Sequence, residues 1–435
     1  MFVELGYPVT RSGSFPSSQE ADMRPSSVFP WTLVVVLALA SGAARAQIKI
    51  GYIDPLSGLM AATGDHGLRE LQFAAEEINA RGGVLGQKLE IVAMDNKLSP
   101  QESAALLNRA VDEGIRYVTQ GNGSSVAAAL IDAINKNNSR TPDKTVLFLN
   151  YAAVDPDFTN SKCSFWHVRF DANSDMKLQA ITSSMVGDKA IKKVYIIGQD
   201  YSFGHQVSKT AKELLKEKLP KVEVVGDEFH PLAKVKDFSP YVAKIQASGA
   251  DTVITGNWGS DLALLIRAAK DAGLKVTFYT FYAGVVGSPT AIGEAGIDRV
   301  KVVSYYGANL ASPAGMKHIQ AFKKKYSPTD DPYTVSMVVA LDMLTRAMTQ
   351  TKSTDPAQVA KAMEGMKIKG YFGDIEMRAE DHQLIQPLFV SSFARVDGKK
   401  VKLGADGTTE FGFREDVKVD GPKTVLPTTC KMERP

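Results

Sequence analysis

The sequence predicts an α/β protein with two lobes, each built around a mainly parallel β-sheet. Short runs rich in β-branched residues alternate with amphipathic helical runs, and this alternation occurs twice along the chain. The chain has 435 residues, more than a single core of ~150 residues needs. Its composition, 44% hydrophobic and 23% charged, is that of a folded globular protein.

The first 46 residues have the pattern of a cleavable export signal behind a short extension. Arg24 precedes the apolar run 31–40, and a small-residue cleavage motif ends at Ala46, so we expect the mature chain to begin at Gln47. We expect Met23 to be the initiator, because the residues before it look like an extension rich in serine and proline, without the pattern of a structural element. The apolar run is shorter than the ~20 residues of a membrane span. The residue directly after the cleavage motif is Gln47 and not a cysteine, so we expect a soluble exported protein without a lipid anchor.

The first alternating series begins directly after this signal. The helical run 67–79 places Leu68, Leu71, Ala75 and Ile78 on one face. The predicted elements are, in order, strand 48–53, helix 67–79, strand 89–94, helix 100–113, strand 116–119, helix 125–135 and strand 146–150.

The second series repeats this rhythm and then gives way to helices. Its predicted elements are strand 193–198, helix 204–219, strand 222–227, helix 238–247, strand 252–255, helix 260–272 and strand 276–280. The remaining predicted elements are strand 300–306, helices 314–326, 334–349 and 356–366, and strand 387–396.

This order predicts that the chain crosses between the lobes more than once. The helical block after the second series is expected to return to the first lobe. We assign residues 47–169 with 307–372 to lobe 1, and residues 170–306 with 373–435 to lobe 2. Several crossings form a hinge, and a hinge between two α/β lobes creates a cleft that can close on a ligand.

Charge and cysteine content narrow the function classes. Lys+Arg 51 against Asp+Glu 48 gives a formal charge of +3, too balanced for a nucleic-acid binder. In an oxidising compartment Cys163 and Cys430 are expected to form a disulfide that joins the C-terminal tail to a loop of the first lobe; two free thiols are the alternative. Two cysteines and six histidines without ligand spacing predict no metal site.

Ligands of parallel α/β sheets bind beyond the carboxyl ends of the strands, so we searched those junctions. In lobe 1, Ser124 and Ser125 open a helix, where free N–H groups and hydroxyls suit a carboxylate. Ala152 and Ala153 follow the next strand and are expected to face the same cleft. The alternative is that Ser124 only caps its helix.

The junctions of lobe 2 carry aromatic side chains beside glycine and polar residues. We expect them to form a wall for the apolar part of a ligand, although packing under the rim of the cleft is the alternative. The candidate residues are Tyr201, Phe203, Asn257, Trp258 and Tyr282.

Signatures of enzymes are missing from the sequence. The first strand is not followed by G-x-G-x-x-G, and neither a P-loop nor a G-x-S-x-G elbow occurs. Asp171, His205 and His230 do not lie at a sequence spacing from other reactive residues that would indicate a catalytic site. We therefore expect a non-catalytic protein without a cofactor.

Several segments together resemble the type I periplasmic solute-binding proteins of ABC importers, specifically the leucine/isoleucine/valine-binding family. They include IKIGYIDPLSG from Ile48, QGNGSSVAAA from Gln120, IIGQDYSFG from Ile196 and LLIRAAKDAGL from Leu264, and the similarity extends to the C-terminus. The resemblance implies two Rossmann-like lobes and a hinge with three crossings. It also implies a periplasmic monomer that delivers a small solute to a permease with cytosolic ATPase subunits.

The resemblance also implies roles for single residues. Ser124 and Ser125 match the carboxylate-binding serine segment, Ala153 a backbone contact, and Phe203 and Trp258 pocket aromatics. The chain departs from the family at three positions. Ala283 stands where the family has the acidic residue that pairs with the α-ammonium of an amino acid. Val154 replaces the usual threonine, and Thr63 replaces an aromatic residue of the pocket.

These departures leave the ligand open. A branched-chain amino acid remains a candidate if Asp171 or Asp200 supplies the missing charge, whereas an aromatic or aliphatic carboxylate or an amide needs no such group. A second hypothesis for the whole protein is a ligand-sensing module that signals to a membrane partner.

Overall fold

The computed structural model describes residues 47–435, and within them it confirms the two-lobed α/β fold. The expected initiator Met23 and the cleavage after Ala46 lie outside the described residues. The strands are β1 Ile48–Asp54, β2 Leu89–Asp95, β3 Tyr117–Gln120, β4 Leu147–Asn150, β5 His167–Arg169, β6 Lys193–Gln199, β7 Glu223–His230, β8 Thr252–Thr255, β9 Thr277–Thr280, β10 Val300–Ser304, β11 Lys367–Gly370, β12 Gly373–Met377, β13 Leu384–Ile385, β14 Leu388–Arg395 and β15 Phe411–Val419.

The helices alternate with these strands in the order that the sequence predicts for both series. They are α1 Ala61–Ala80, α2 Pro100–Asp112, α3 Ser124–Arg140, α4 Ser174–Met185, α5 Ser202–Lys218, α6 Ser239–Ser248, α7 Gly259–Asp271, α8 Ser288–Ile292, α9 Pro313–Lys325, α10 Ser336–Thr351, α11 Pro356–Met363 and α12 Gly421–Thr424.

The first sheet has the order β2-β1-β3-β4-β5, and all of its strands are parallel. Its two faces are covered by different helices, as right-handed crossovers require. Leu107 of α2 and Leu130 of α3 pack on one face. On the other face Leu71 of α1 lies in one core cluster with Leu344 of α10 and Val359 of α11. The late helices therefore return to the first lobe.

The second sheet has the order β15-β14-β10-β9-β8-β6-β7. Strands β6 to β10 are parallel, whereas β14 is antiparallel to β10 and β15 is antiparallel to β14. Helices α4 and α5 cover one face, where Ile181 and Leu215 are buried, and α6 and α7 cover the other, where Ile245 and Leu265 are buried.

The C-terminal segment contributes to both lobes. Ile375, Met377 and Leu384 of the small sheet β11-β12-β13 pack into the core of the first lobe. The chain then enters the second sheet at β14. We therefore propose that this crossing lies after β13, rather than at residue 373 as the sequence-based boundaries have it.

The disulfide between Cys163 and Cys430 is confirmed, with Cα atoms 5.6 Å apart. After β15 and α12 the tail returns to the loop that follows β4. There the Thr428 hydroxyl donates to the carbonyl of Thr159, and the Thr429 N–H donates to the Asn160 side chain. The tail is thus a further connection between the two lobes.

Candidate functional site

A cavity lies between the carboxyl ends of the two sheets, and the lobes touch across it. Met60, just before α1, is only 2% exposed because it packs into the core cluster of the second lobe with Trp258. Its sulfur lies 3.7 Å from the Ser260 hydroxyl. Gly259 has φ +60°, and a Cβ at this residue would lie 2.5 Å from the Met60 sulfur. Glycine at 259 therefore permits this closed arrangement.

The N-terminus of α3 forms one wall of the cavity. The carbonyl of Gly123 accepts the N–H groups of Val126 and Ala127. Among the described residues, no acceptor is found for the N–H groups of Ser124 and Ser125, nor any partner for the Ser124 hydroxyl. Ser124 lines the cavity, so its N–H and hydroxyl remain available at the positive end of a helix dipole.

A buried carboxyl group holds the loop that leads into α3. Asp54, at the end of β1, accepts the N–H of Asn122 at 3.0 Å, the N–H of Gly121 at 3.2 Å and the Tyr151 hydroxyl at 2.8 Å. Burial raises the pKa of Asp54 to about 7. These bonds fix the floor of the cavity, which the rings and backbone of residues 121–124 and 151–154 form.

Aromatic rings of lobe 2 form the opposite wall. The Trp258 indole N–H donates to the Tyr201 hydroxyl at 2.9 Å, which orients both rings. The Phe203 ring lies 5.7 Å from the Tyr201 ring and 6.0 Å from the Phe281 ring, in an edge-on arrangement with the latter. Tyr282 follows in the same row. This wall offers an apolar surface with one polar edge.

An ion pair is buried at the side of the cavity that lies after β5. Lys177 Nζ lies 3.0 Å from Asp171 Oδ2, and both side chains are almost fully buried. The ammonium also lies over the rings of Tyr282 and Tyr305, at 5.1 and 5.7 Å from their centroids. Burial raises the pKa of Asp171, and the charge of Lys177 opposes that rise.

The remaining side of the cavity comes from β10, the segment just before α10 and the loop between β14 and β15. The Tyr306 hydroxyl donates to Asp331 at 2.7 Å, and Lys323 pairs with the same carboxylate at 3.4 Å. Burial raises the pKa values of Asp331 and Glu415. The loop contributes residues 403–405.

Seven of the nine residues predicted for ligand binding line this one cavity. They are Ser124, Ala152, Ala153, Tyr201, Phe203, Trp258 and Tyr282. Ser125 and Asn257 are not part of the lining. Asn257 is buried, and its side-chain nitrogen lies 2.8 Å from His230 Nε2. Whether the seven residues contact a ligand stays a prediction.

The structure also shows where the residues lie that bear on the binding of an α-ammonium group. Ala283 is buried in the core of the second lobe, and Asp200 is exposed beside His205, at 2.9 Å. Asp171 lies in the cavity. Tyr305 and Tyr306 were missed because the sequence extends their strand to residue 306, whereas β10 ends at Ser304.

No group of metal-binding side chains occurs in residues 47–435. Within the same part of the chain, no helix combines the length and the hydrophobicity needed to cross a bilayer.

Comparisons with known proteins agree with this architecture. The family model described as "Periplasmic binding protein" matches residues 47–400. Leu/Ile/Val-binding protein homolog 4 from Brucella abortus (strain 2308) is 34% identical over 410 residues, which cover 92% of this chain and 96% of that protein. These relatives are binding proteins rather than enzymes.

Solved structures show the same fold. The leucine-, isoleucine-, valine-, threonine-, and alanine-binding protein from Brucella ovis, in its closed conformation, has a TM-score of 0.78 at 32% identity and covers 90% of this chain and 100% of its own. A solute-binding protein of an ABC transporter from Rhodopseudomonas palustris HaA2, in complex with p-hydroxybenzoic acid, has a TM-score of 0.74 at 22% identity, covering 86% and 98% of the two chains. The fold, the cavity and these matches together establish that the chain belongs to the periplasmic binding protein family.

Proposed function

We propose that this protein captures a small organic solute with a carboxylate group between its lobes and delivers it to the permease of an ABC importer. One observation carries this proposal: Ser124, whose N–H and hydroxyl are free at the start of α3, lines the same cavity as the aromatic wall of lobe 2. A carboxylate at the helix N-terminus gains charge-assisted hydrogen bonds and a favourable dipole. The body of the solute then lies against Tyr201, Phe203 and Trp258.

An amino acid with an apolar side chain is the ligand that we favour within this class. The Brucella relatives that share about a third of their residues with this chain are named for leucine, isoleucine and valine binding. Their names also favour the transport receptor over a sensor that signals to a membrane partner. The aromatic wall suits a branched or aromatic side chain.

The cellular setting follows from this role. The receptor acts in the periplasm after cleavage of its export signal behind Ala46. It works there as a monomer, and the permease that it serves is driven by cytosolic ATPase subunits. The disulfide between Cys163 and Cys430 is in keeping with an oxidising compartment.

A thermal-shift screen of amino acids, aromatic acids and short amides identifies the ligand, and calorimetry then tests the site. Replacing both serines, Ser124→Ala with Ser125→Ala, should weaken binding of the best ligand by more than tenfold, because the charge-assisted bond from the Ser124 hydroxyl alone contributes about 1.5–3 kcal/mol. The control is Ser239→Ala, at the exposed start of α6, which should bind normally. Unchanged affinity in the double variant would reject the carboxylate assignment.

A further inference from the structure

Asp171 has a carboxylate oxygen that the protein itself leaves unsatisfied. The side chain is 1% exposed, yet within the described residues Oδ1 has no hydrogen-bond partner. A buried acceptor without a donor costs about 1–3 kcal/mol, and more when it is charged. Because Asp171 lines the cavity, a ligand can supply the missing donor.

Lys177 occupies a position that is poor for stability. It lies in the first turn of α4, whose N-cap is Asn173, so its positive charge is at the positive end of the helix dipole. Burial of an ammonium group is costly as well. Within residues 47–435 its one ion pair is with Asp171 Oδ2. The ammonium charge opposes the rise in the pKa of Asp171 that burial causes, and the contact fixes the orientation of the carboxylate. Both the unsatisfied Asp171 oxygen and the buried Lys177 ammonium destabilise the fold, so we expect the pair to have a role in ligand binding.

The sheet order places this pair at a suitable distance from α3. Asp171 follows β5 and Ser124 follows β3, with β4 between them. The Phe170 N–H donates to Asn150, and the Ser174 N–H donates to Val154, so the Asp171 segment lies directly beside the loop after β4. Two strand spacings are about 10 Å. Hydrogen bonds of about 3 Å at both ends leave about 4 Å, slightly more than the separation between the ammonium nitrogen and the carboxylate oxygens of an α-amino acid.

We propose that Asp171 binds the ammonium group of an α-amino acid through Oδ1, and that Lys177 is the positioning residue that holds Asp171 for this contact. The charges then alternate along one row: Lys177, Asp171, the ligand ammonium, the ligand carboxylate and the N-terminus of α3. The ligand contributes no net charge to the closed cleft, which avoids an uncompensated buried ion. This inference rests on the proposed function and assigns the cation-binding group within it.

Matched ligands test the assignment without any change to the protein. Calorimetry compares leucine, valine and phenylalanine with their 2-hydroxy and unsubstituted carboxylate analogues. At least one amino acid should bind, and more than tenfold more tightly than both of its analogues. Equal affinity for an amino acid and its 2-hydroxy analogue overturns the inference, and so does the absence of binding by all three amino acids.

Asp171→Asn tests the residue itself. It should weaken binding of the amino acid by more than tenfold and change binding of the hydroxy acid by less than threefold. Asp200→Asn is the control, because that carboxylate is exposed on lobe 2, and it should leave both affinities unchanged. Should carboxylates bind and depend on Ser124 and Ser125 but not on Asp171, this inference fails while the proposed function stands.

Lys177→Met separates positioning from simple structural support. The titratable groups that interact electrostatically with Asp171 are those of Lys177, Arg169 on β5, Tyr282 and Tyr305. Without the ammonium, the pKa of Asp171 should rise further, so the pH above which amino-acid affinity is complete should be higher in the variant than in the wild type. A variant that binds as tightly as the wild type, with the same pH profile, contradicts the role of Lys177.

Discussion

His66 should make the stability of this protein fall steeply above neutral pH. The imidazole is buried on α1, with Nδ1 2.8 Å from Glu70 and Nε2 3.5 Å from Asp406. Asp406 belongs to the loop between β14 and β15, so the contact joins lobe 1 to a segment of lobe 2. The Tyr333 ring, which lines the cavity, stacks on the imidazole with centroids 4.3 Å apart.

The magnitude follows from the pKa. Burial alone would lower the pKa of His66, but the two carboxylates outweigh it and raise the pKa from 6.5 to about 9. One pKa unit corresponds to about 1.4 kcal/mol, so the protonated ring contributes about 3 kcal/mol. Because the folded pKa is the higher one, this contribution is complete below about pH 6.5 and is lost as pH rises through about 9.

Urea unfolding at a series of pH values measures this contribution. The free energy of unfolding of the wild type should fall by about 3 kcal/mol more than that of His66→Gln between about pH 6 and pH 10. His205→Gln is the matched control, since His205 is exposed, and it should follow the wild type. Parallel wild-type and His66→Gln curves would refute the reasoning, as would an imidazole proton signal of His66 that titrates near its ordinary pKa.

Two further predictions concern the framework of the site. Non-reducing mass spectrometry should find the peptide that joins Cys163 to Cys430, and two free thiols would contradict this. Replacing both by serine should lower the free energy of unfolding by about 2 to 5.6 kcal/mol, the upper figure being the chain-entropy value for a separation of 267 residues; unchanged stability would contradict the prediction. Burial raises the pKa of Asp54 to about 7, so the folded protein retains a proton that the unfolded chain releases, and stability should decrease as pH rises from about 4 to 7. Asp54→Asn should remove that decrease, and an unaltered pH profile would disprove the assignment.

Much of the fold is predictable from local pattern. The strand at Ile48 and the helix at Pro100 have clear periodicity and end signals, and the structure agrees with both within a residue. Helix α4 was missed because its serine and threonine residues weaken the helical pattern, and β5 has only three residues. The start of α1 was placed at residue 67, because its first turn is rich in small residues.

The cavity is less predictable, because it depends on which distant segments meet. Strand ends in the two βα series indicated the α3 wall and the aromatic wall, and those residues do face one cavity. Asp171 had no recognisable partner in the sequence, since its pairing with Lys177 requires the turn at Asn173 to bring the two side chains together. The contribution of residues 403–405 depends on a loop whose path no local pattern specifies.

Closure of the lobes around a bound solute is the central claim, and small-angle X-ray scattering measures it most directly. On addition of the best ligand, the radius of gyration of the mature chain should decrease to the value of the closed structure, and the variant with alanine at 124 and 125 should need a much higher ligand concentration for the same change. A radius of gyration that stays the same with every amino acid, aromatic acid and amide tested would contradict the account.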